Sequence, residues 1–499
     1  MSLNVRNYNN KEMLLFPALI GDYLPKDHLA WIIDEVVEQL DLRCLYAKVS
    51  TVGNPSYHPK MMLKILFCGY ATSTFSSRKI HKELESDVAF IFLSGMQKPD
   101  FRTISDFRKN NVEELSKLFV QIVKLCNKLG LVGLGHIALD STVIKASADR
   151  EKFYNKERLT KEEQAIHKKI KELLESAQRI DDEEDKLYGP DKRGDELPEE
   201  LRSHKKRLEK IREAKRQLEE ESLKEINLTD SDATFQRQRS HLIRPGYRAE
   251  VAVDEKEQVI VACDVTNQAN DVEQLIPLIE QTTDNLPEAS TQGSVIVTAD
   301  SNYSSMESLK KLESKEYIDA YIPDVKYQAN KHGKTTDEDS PFHKKHFTYN
   351  QEKDVYICPN HKELTFRRRR KDESGAYSSL YRCADCHFCR YFGTCTKSPK
   401  GREIKAYDNI EQIYKMRHKL NTADGKAIYS RRKTIVEPVF GNIKHNLKFR
   451  EFLLRGLKKV RAEFTLMAIV HNIQKIAKFL KKLLFFKLPR SELAPVLAT

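Results

Sequence analysis

The sequence predicts an α/β protein: a helical N-terminal region, then a mixed domain interrupted by two insertions. Three observations carry this. Apolar residues recur at helical spacing up to about residue 130. Short strand-like runs rich in Val, Ile and Thr follow, two of them carrying an acid. Two stretches, 151–228 and 324–400, break the pattern with compositions of their own.

In the helical region, Leu29, Ile32, Ile33, Val36, Val37 and Leu40 fall at three-four spacing. His58-Pro59 opens a second helix carrying Met62, Ile65 and Leu66. Residues 76–84 read as a turn entering a short basic helix with Arg78, and Leu115, Leu118, Phe119 and Ile122 continue the pattern. Short helices with basic joints fit a DNA-binding domain over residues 1–130; a plain packing domain is the alternative.

The character changes at Gly135. Residues 136–144 read as a strand with Asp140 in its middle. More than half of residues 151–228 are charged, and Ile166, Ile170, Leu173, then Leu208, Ile211 and Leu218, keep three-four spacing on either side of Gly189-Pro190. That predicts an antiparallel coiled-coil hairpin, either a solvated insertion or a contact for DNA or a partner. Strands at 247–253 and 259–265 flank a turn, and residues 271–283 read as a helix. Residues 294–299 form a short apolar strand ending at Asp300, Ser304 and Glu307 read as a capping box for the next helix, and a further strand covers 320–323. Residues 324–400 read as irregular and residues 410–484 as helical. Without the insertions, this is the element order of an RNase H-like domain, here over residues 131–499.

The formal net charge of +12 favours a polyanionic partner, nucleic acid or an acidic membrane face. No apolar stretch approaches the ~18 residues of a membrane span, and residues 1–10 lack the apolar core of a signal peptide. The expectation is a cytoplasmic protein with no membrane partner.

Asp140 and Asp300 sit on two strands of one inferred sheet, where charged groups are avoided unless paired or metal-bound. A third acid, Glu437, lies in a helical stretch whose stripe is Val436, Phe440, Ile443 and Leu447. Lys444 follows about two turns later on the same face, and Gly441 between them removes bulk. Pro438 suggests that the helix starts or kinks there. Convergent carboxylates hold the divalent ions of phosphodiester chemistry; a cap for each Asp and a surface role for Glu437 are the plain readings.

These stretches resemble the DDE transposases of bacterial insertion sequences. The resemblance is carried by His58-Pro59, Arg78 and Ile80, Leu139-Asp140-Ser141-Thr142, Asp230 and Asp232-Ala233, Pro245-Gly246-Tyr247, Thr298-Ala299-Asp300 with Tyr303, and Val436-Glu437-Pro438-Val439-Phe440-Gly441 with Ile443-Lys444, from about residue 15 to 480. It implies Asp140, Asp300 and Glu437 as catalytic ligands of magnesium or manganese. It also implies double-stranded DNA at element ends and target as partner, a homodimer in the DNA complex, and a nucleoid-associated location. Tyr429 and Arg432 stand in the family's Tyr and Arg positions with spacing shifted by one, implying phosphate contact along with Lys444. His445, Lys448, Arg450, Arg455 and Arg78 are further candidate DNA contacts. A catalytically silent DNA-binding regulator and a same-fold nuclease are the rival readings.

Five of nine cysteines, Cys358, Cys383, Cys386, Cys389 and Cys395, cluster in the second insertion. Four thiolates suffice for a tetrahedral structural zinc; an iron–sulfur cluster and reduced, unligated thiols are the alternatives. The resemblance assigns Cys358, Cys386, Cys389 and Cys395 as the ligands, with Cys383, His361 and His387 as substitutes.

Overall fold

The computed structural model describes residues 19–49, 55–188, 199–237, 242–268, 270–291, 293–324, 327, 340–371, 377–407 and 410–485. The predicted break at Gly189-Pro190 lies outside them. The chain forms two compact units, one from residues 1–132, 442–448 and 465–499, the other from residues 133–441 and 449–464.

In the first unit the predicted helices form. Pro59 occupies the first turn of Pro59–Ala71, where its missing N–H costs nothing. Asp87 and Asp100 cap the helices Val88–Ser94 and Phe101–Asn110 through their carboxylates. Arg108 is buried, and its guanidinium donates to Tyr70 Oη and to the Phe75 carbonyl, both at 3.0 Å. That arginine holds helix ends together, as a buried charge must be hydrogen-bonded to persist.

The second unit is built on a six-stranded sheet. Strand β1 (His136–Lys145) is central, and β2 (Phe153–Tyr154) and β3 (Ile226–Asn227) pair separately. Strands β4 (Thr234–Arg237), β5 (Ile243–Asp254), β6 (Ile260–Thr266), β7 (Val295–Thr298) and β8 (Ile318–Tyr321) complete the sheet. Its order is β4-β5-β1-β7-β8, with β6 also on β5. Strand β5 is antiparallel to β1, while β7 runs parallel to β1 and β8 parallel to β7. Ile137, Ala138 and Leu139 are all buried, as a strand covered on both faces requires. The cap predicted at Ser304 falls one residue later: Ser305 Oγ accepts from Ser308 N at 3.0 Å and starts the helix Met306–Glu313.

Two sequence motifs resolve into fasteners. Asp230 accepts hydrogen bonds from Tyr247 Oη (2.8 Å) and Gly456 N (2.9 Å), and Asp232 accepts from Leu457 N (2.6 Å). They hold the start of the helix Leu457–Phe485, whose first N–H groups have no partner of their own.

The helix does not begin at Pro438: it spans Ala423–Gly441 with Pro438 inside it. A proline there leaves the carbonyl of residue 434 without its usual donor. Gln258 Nε2 supplies one at 3.0 Å, so tertiary structure absorbs the defect. The region read as irregular also holds a second sheet: β9 (Thr348–Asn350), β10 (Val355–Ile357), β11 (Glu363–Lys371), β12 (Tyr377–Arg382) and β13 (Glu403–Tyr407), all antiparallel neighbours. These strands are short and polar and alternate weakly. They close over a small core of Phe347, Leu364, Tyr381, Cys383, Cys386 and Ile404.

The charged insertion forms helices Lys156–Tyr188 and Glu199–Glu220. They share an apolar seam of Leu159, Ile166, Leu208, Ile211, Ala214 and Leu218, flanked by ion pairs of Glu163 with Arg212 and Lys215. The β2–β3 ladder brings the entering and leaving chains together at its base. We therefore predict that replacing residues 160–224 with a short flexible loop leaves a soluble, cooperatively folding chain, with a melting temperature lowered by only a few degrees. Calorimetry checks this; insoluble protein would show that the hairpin supports the sheet.

Candidate active site at the centre of the sheet

Strands β1 and β7 pair in parallel, His136 opposite Ile296 and Ala138 opposite Thr298. Asp140 and Asp300 each lie two residues beyond that last pair, so the two acids arrive level at neighbouring positions. His136 reinforces the register: its Nε2 lies 3.0 Å from Thr298 Oγ1, and burial pushes its pKa down to about 4, leaving a neutral ring. Asp140 is 8% exposed, and burial raises its pKa above the usual carboxylate range, with Asp300 adding to the rise. Asp300 caps the turn Ser301–Tyr303, accepting from Asn302 N at 3.0 Å and Ser301 Oγ at 2.9 Å.

The counter-charge is Arg432. Its Nη1 lies 3.1 Å from Asp140 Oδ2, and the side chain is itself buried. Burial disfavours its charge, but Asp140 and then Asp300 keep the guanidinium protonated. This arginine was expected to contact phosphate; in the structure its partner is a carboxylate. Tyr429, one turn earlier, is also buried, against Tyr321 and Leu420. Glu437 lies on the exposed side of the same helix and makes no hydrogen bond or ion pair among the described residues. The structure thus unites Asp140, Asp300 and Arg432 but leaves Glu437 apart. A Cβ on Gly441 would meet open space, so close packing does not explain that glycine. Arg450 and Arg455 are exposed, and Arg455 Nε donates to the Ser147 carbonyl at 2.9 Å. In the first unit, Lys444 and His445 lie in the π turn Asn442–Asn446, Lys448 has a φ of 58°, and Arg78 sits 5.1 Å from the Phe101 ring centre.

Behind the acids lies a polar network that the sequence reading missed. Ser141 Oγ donates to Asp271 Oδ2 at 2.8 Å, and Arg248 Nη1 donates to both Ser141 Oγ and Asp271 Oδ2 at 3.2 Å. Arg248 Nε is 3.0 Å from Asp271 Oδ1. Glu250, fully buried, accepts from Tyr303 Oη and faces Asp271. Burial, then the charge of Asp271, raises the Glu250 pKa well above normal, which favours the protonated carboxyl beside Asp271. The chain from Ser141 through Asp271 and Glu250 to Tyr303 links the neighbour of Asp140 to the turn that Asp300 caps. An acid at position 250, inside an apolar strand, was the available signal.

Among the described residues, no three His, Cys, Asp or Glu side chains converge closely enough to hold a metal ion. The donor chemistry nonetheless suits metals at two places. Asp140 and Asp300 are neighbouring carboxylates in a part-buried setting. Cys358, Cys383, Cys386, Cys389 and Cys395 line one cavity. There Lys362 N donates to Cys358 Sγ and Arg402 N to Cys386 Sγ, both at 3.2 Å, and Asn360 Nδ2 to Cys389 Sγ at 3.4 Å.

Glu250→Gln tests the protonated carboxyl. Because folding raises this pKa, the native state loses stability as pH climbs from the unfolded value through the folded one. Gln keeps both hydrogen bonds without ionising. The variant should melt a few degrees above wild type at about pH 8, and the gap should shrink towards about pH 5. A pH-independent difference would show that Glu250 is not the proton holder.

Residues 357–477 match a family model described as a transposase DDE domain, and residues 19–110 match a transposase domain (DUF772). The first range includes Glu437 and the cysteines; Asp140 and Asp300 lie outside both. No curated protein matches the chain. No described helix is long and apolar enough to cross a membrane. Together with the mixed α/β fold, both matches support a DDE transposase of the insertion-sequence type.

Proposed function

We propose that the chain cuts and joins DNA strands at the ends of an insertion sequence. The observation that carries this is the level pair of Asp140 and Asp300 on adjacent parallel strands, with Arg432 buried against it. The strand order, with antiparallel β6-β5-β1 and parallel β1-β7-β8, supports an RNase H-like reading.

Asp140, Asp300 and Glu437 would hold magnesium or manganese, which when bound supplies activation of the attacking oxygen and charge neutralisation at the leaving oxygen. The protein's own part is positioning. Parallel pairing keeps the two aspartates level, and the Asp271–Glu250 network holds their strand and turn from behind. Arg432 opposes the rise that burial gives the Asp140 pKa. Water attack would break a phosphodiester at the element end and free a 3′-hydroxyl; that hydroxyl, losing its proton, would attack a second phosphodiester and expel its 3′-oxygen. Lys444, His445, Lys448, Arg450 and Arg455 would hold backbone phosphates, each contact weakening with salt.

Asp140→Ala, Asp300→Ala and Glu437→Ala should each lower cleavage of an element-end duplex by at least ~10³-fold while end binding changes less than about threefold. Gel assays of cutting and binding check this. Near wild-type cutting by any one of them removes that residue from the site, and Glu437 is the most exposed to that outcome.

The cysteine cavity supports one structural zinc held by Cys358, Cys386, Cys389 and Cys395, with Cys383 as a fifth thiol on the same wall. Elemental analysis should find about one zinc per chain, and its removal should lower stability through the second sheet. Purified protein with neither zinc nor iron, and with all these thiols open to a native-state thiol reagent, would end the metal reading.

A further inference from the structure

We propose that the basic edge of the second sheet is a docking surface for the backbone of duplex DNA, separate from the acidic site. The proposal rests on the chain handling DNA, not on the roles given to Asp140, Asp300 and Glu437.

Strand β11 pairs with β10 only through Glu363, Leu364 and Thr365, but with β12 along the rest of its length to Lys371. Its second half, Arg367-Arg368-Arg369-Arg370-Lys371, therefore forms the sheet edge beyond the end of β10. Alternation divides these cations between the two faces. Arg369 and Lys371 stand opposite Ser379 and Tyr377, while Arg368 and Arg370 stand opposite Leu380 and Ser378, on the other face. A ribbon charged on both faces is not one wall of a buried core; it suits a groove with phosphates on either side.

The four guanidiniums, Arg367 to Arg370, are all exposed. Arg367, Arg368 and Arg370 have no carboxylate or hydrogen-bond partner among the described residues. Arg369 lies 5.0 Å from the centre of the Tyr377 ring, which holds its planar group in place while the ring stays 48% exposed. On the same face Phe366 packs 5.8 Å from Tyr381, continuing a strip through Tyr356 and Tyr349. On the other face Lys405 of β13 stands opposite Leu380 and adds a further cation beside Arg368. Asp372 and Glu373 follow in the sequence, outside the described residues.

Charges on a sheet edge also prevent unwanted strand pairing. One or two lysines achieve that, whereas five adjacent cations repel one another. A polyanion relieves this repulsion, and arginine forks match phosphate oxygens. Phosphates line both walls of a duplex groove about 12 Å wide, so an edge charged on both faces can meet them. Duplex DNA is thus the occupant whose charge and shape fit this edge.

The test uses the full chain and a fluorescent random-sequence duplex of about 30 base pairs, with Kd measured across a KCl series. Replacing Arg367, Arg368, Arg369 and Arg370 together by Gln should lower the salt slope by about three to four, near ~0.9 per phosphate contact, and weaken binding at least ~10-fold at low salt. The four-lysine counterpart should keep most of the slope. The milder pair Arg368→Gln and Arg370→Gln, which leaves the Tyr377 face intact, should lower it by about two and covers the case of a four-Gln chain that fails to fold. Equal slopes for wild type and both Gln variants would overturn the proposal. A loss seen with a single-stranded oligonucleotide of the same length, but not with duplex, would overturn the choice of duplex. If wild type itself bound no DNA, the DNA-handling reading would fall instead.

Discussion

The second unit depends on matching charge that the sheet buries. Asp140 stands buried mid-strand after the apolar run Ile137-Ala138-Leu139, where an uncompensated carboxylate would cost several kcal/mol. Arg432 supplies the match from a helix packed along β1, at 3.1 Å. That pairing settles which face of the helix turns inward, and so where Val436, Val439 and Glu437 must go. Ile435, Val436 and Val439 follow Arg432 into the interior, and Glu437 stays outside. A buried ion pair of this kind is weak evidence for net stability; its stronger consequence is a single orientation.

A second match works by proton rather than by ion. Glu250 and Asp271 face one another with Arg248 close by, and three ionised groups would leave excess negative charge in a dry place. Retaining one proton turns repulsion into a hydrogen bond. Through Ser141 and Tyr303 this network reaches the residue after Asp140 and the turn capped by Asp300. The network thereby braces both acids from behind, through Ser141 next to Asp140 and Tyr303 in the turn that Asp300 caps. Preorganisation of this sort suits chemistry in which metal-binding carboxylates must hold their spacing as charge moves.

The insertions obey a different economy. The helical hairpin has its own seam and the second sheet its own small core, so each satisfies its apolar groups without borrowing from the main sheet. What they present outward is charge: ion-paired along the hairpin, and on the arginine edge, for Arg367, Arg368 and Arg370, without a carboxylate partner among the described residues. Paired charge is near neutral towards solvent, whereas unpaired cations keep their attraction for a polyanion. That difference distinguishes a spacer-like element from a binding one although both are rich in Lys and Arg.

Much of this was legible in the residues. Three-four spacing in the N-terminal helices and hairpin, the turn between β5 and β6, Asp140 within a strand and Asp300 just after one all follow from local periodicity and from the cost of charge in a sheet. The second sheet was not legible, because its strands are short and arginine-rich and are held by neighbours distant in sequence. Pro438 misled for a related reason: its missing hydrogen bond is replaced by Gln258, nearly two hundred residues earlier. The sequence by itself determined which residue types could carry metal, phosphate and thiolate chemistry, since that is a property of side chains. Only the tertiary structure decided that Arg432 faces Asp140 rather than solvent, that burial raises the Glu250 pKa, and that the Arg367–Arg370 run extends past β10 as an open sheet edge. Each depends on the dielectric and the partners around a group, which packing creates and composition does not contain.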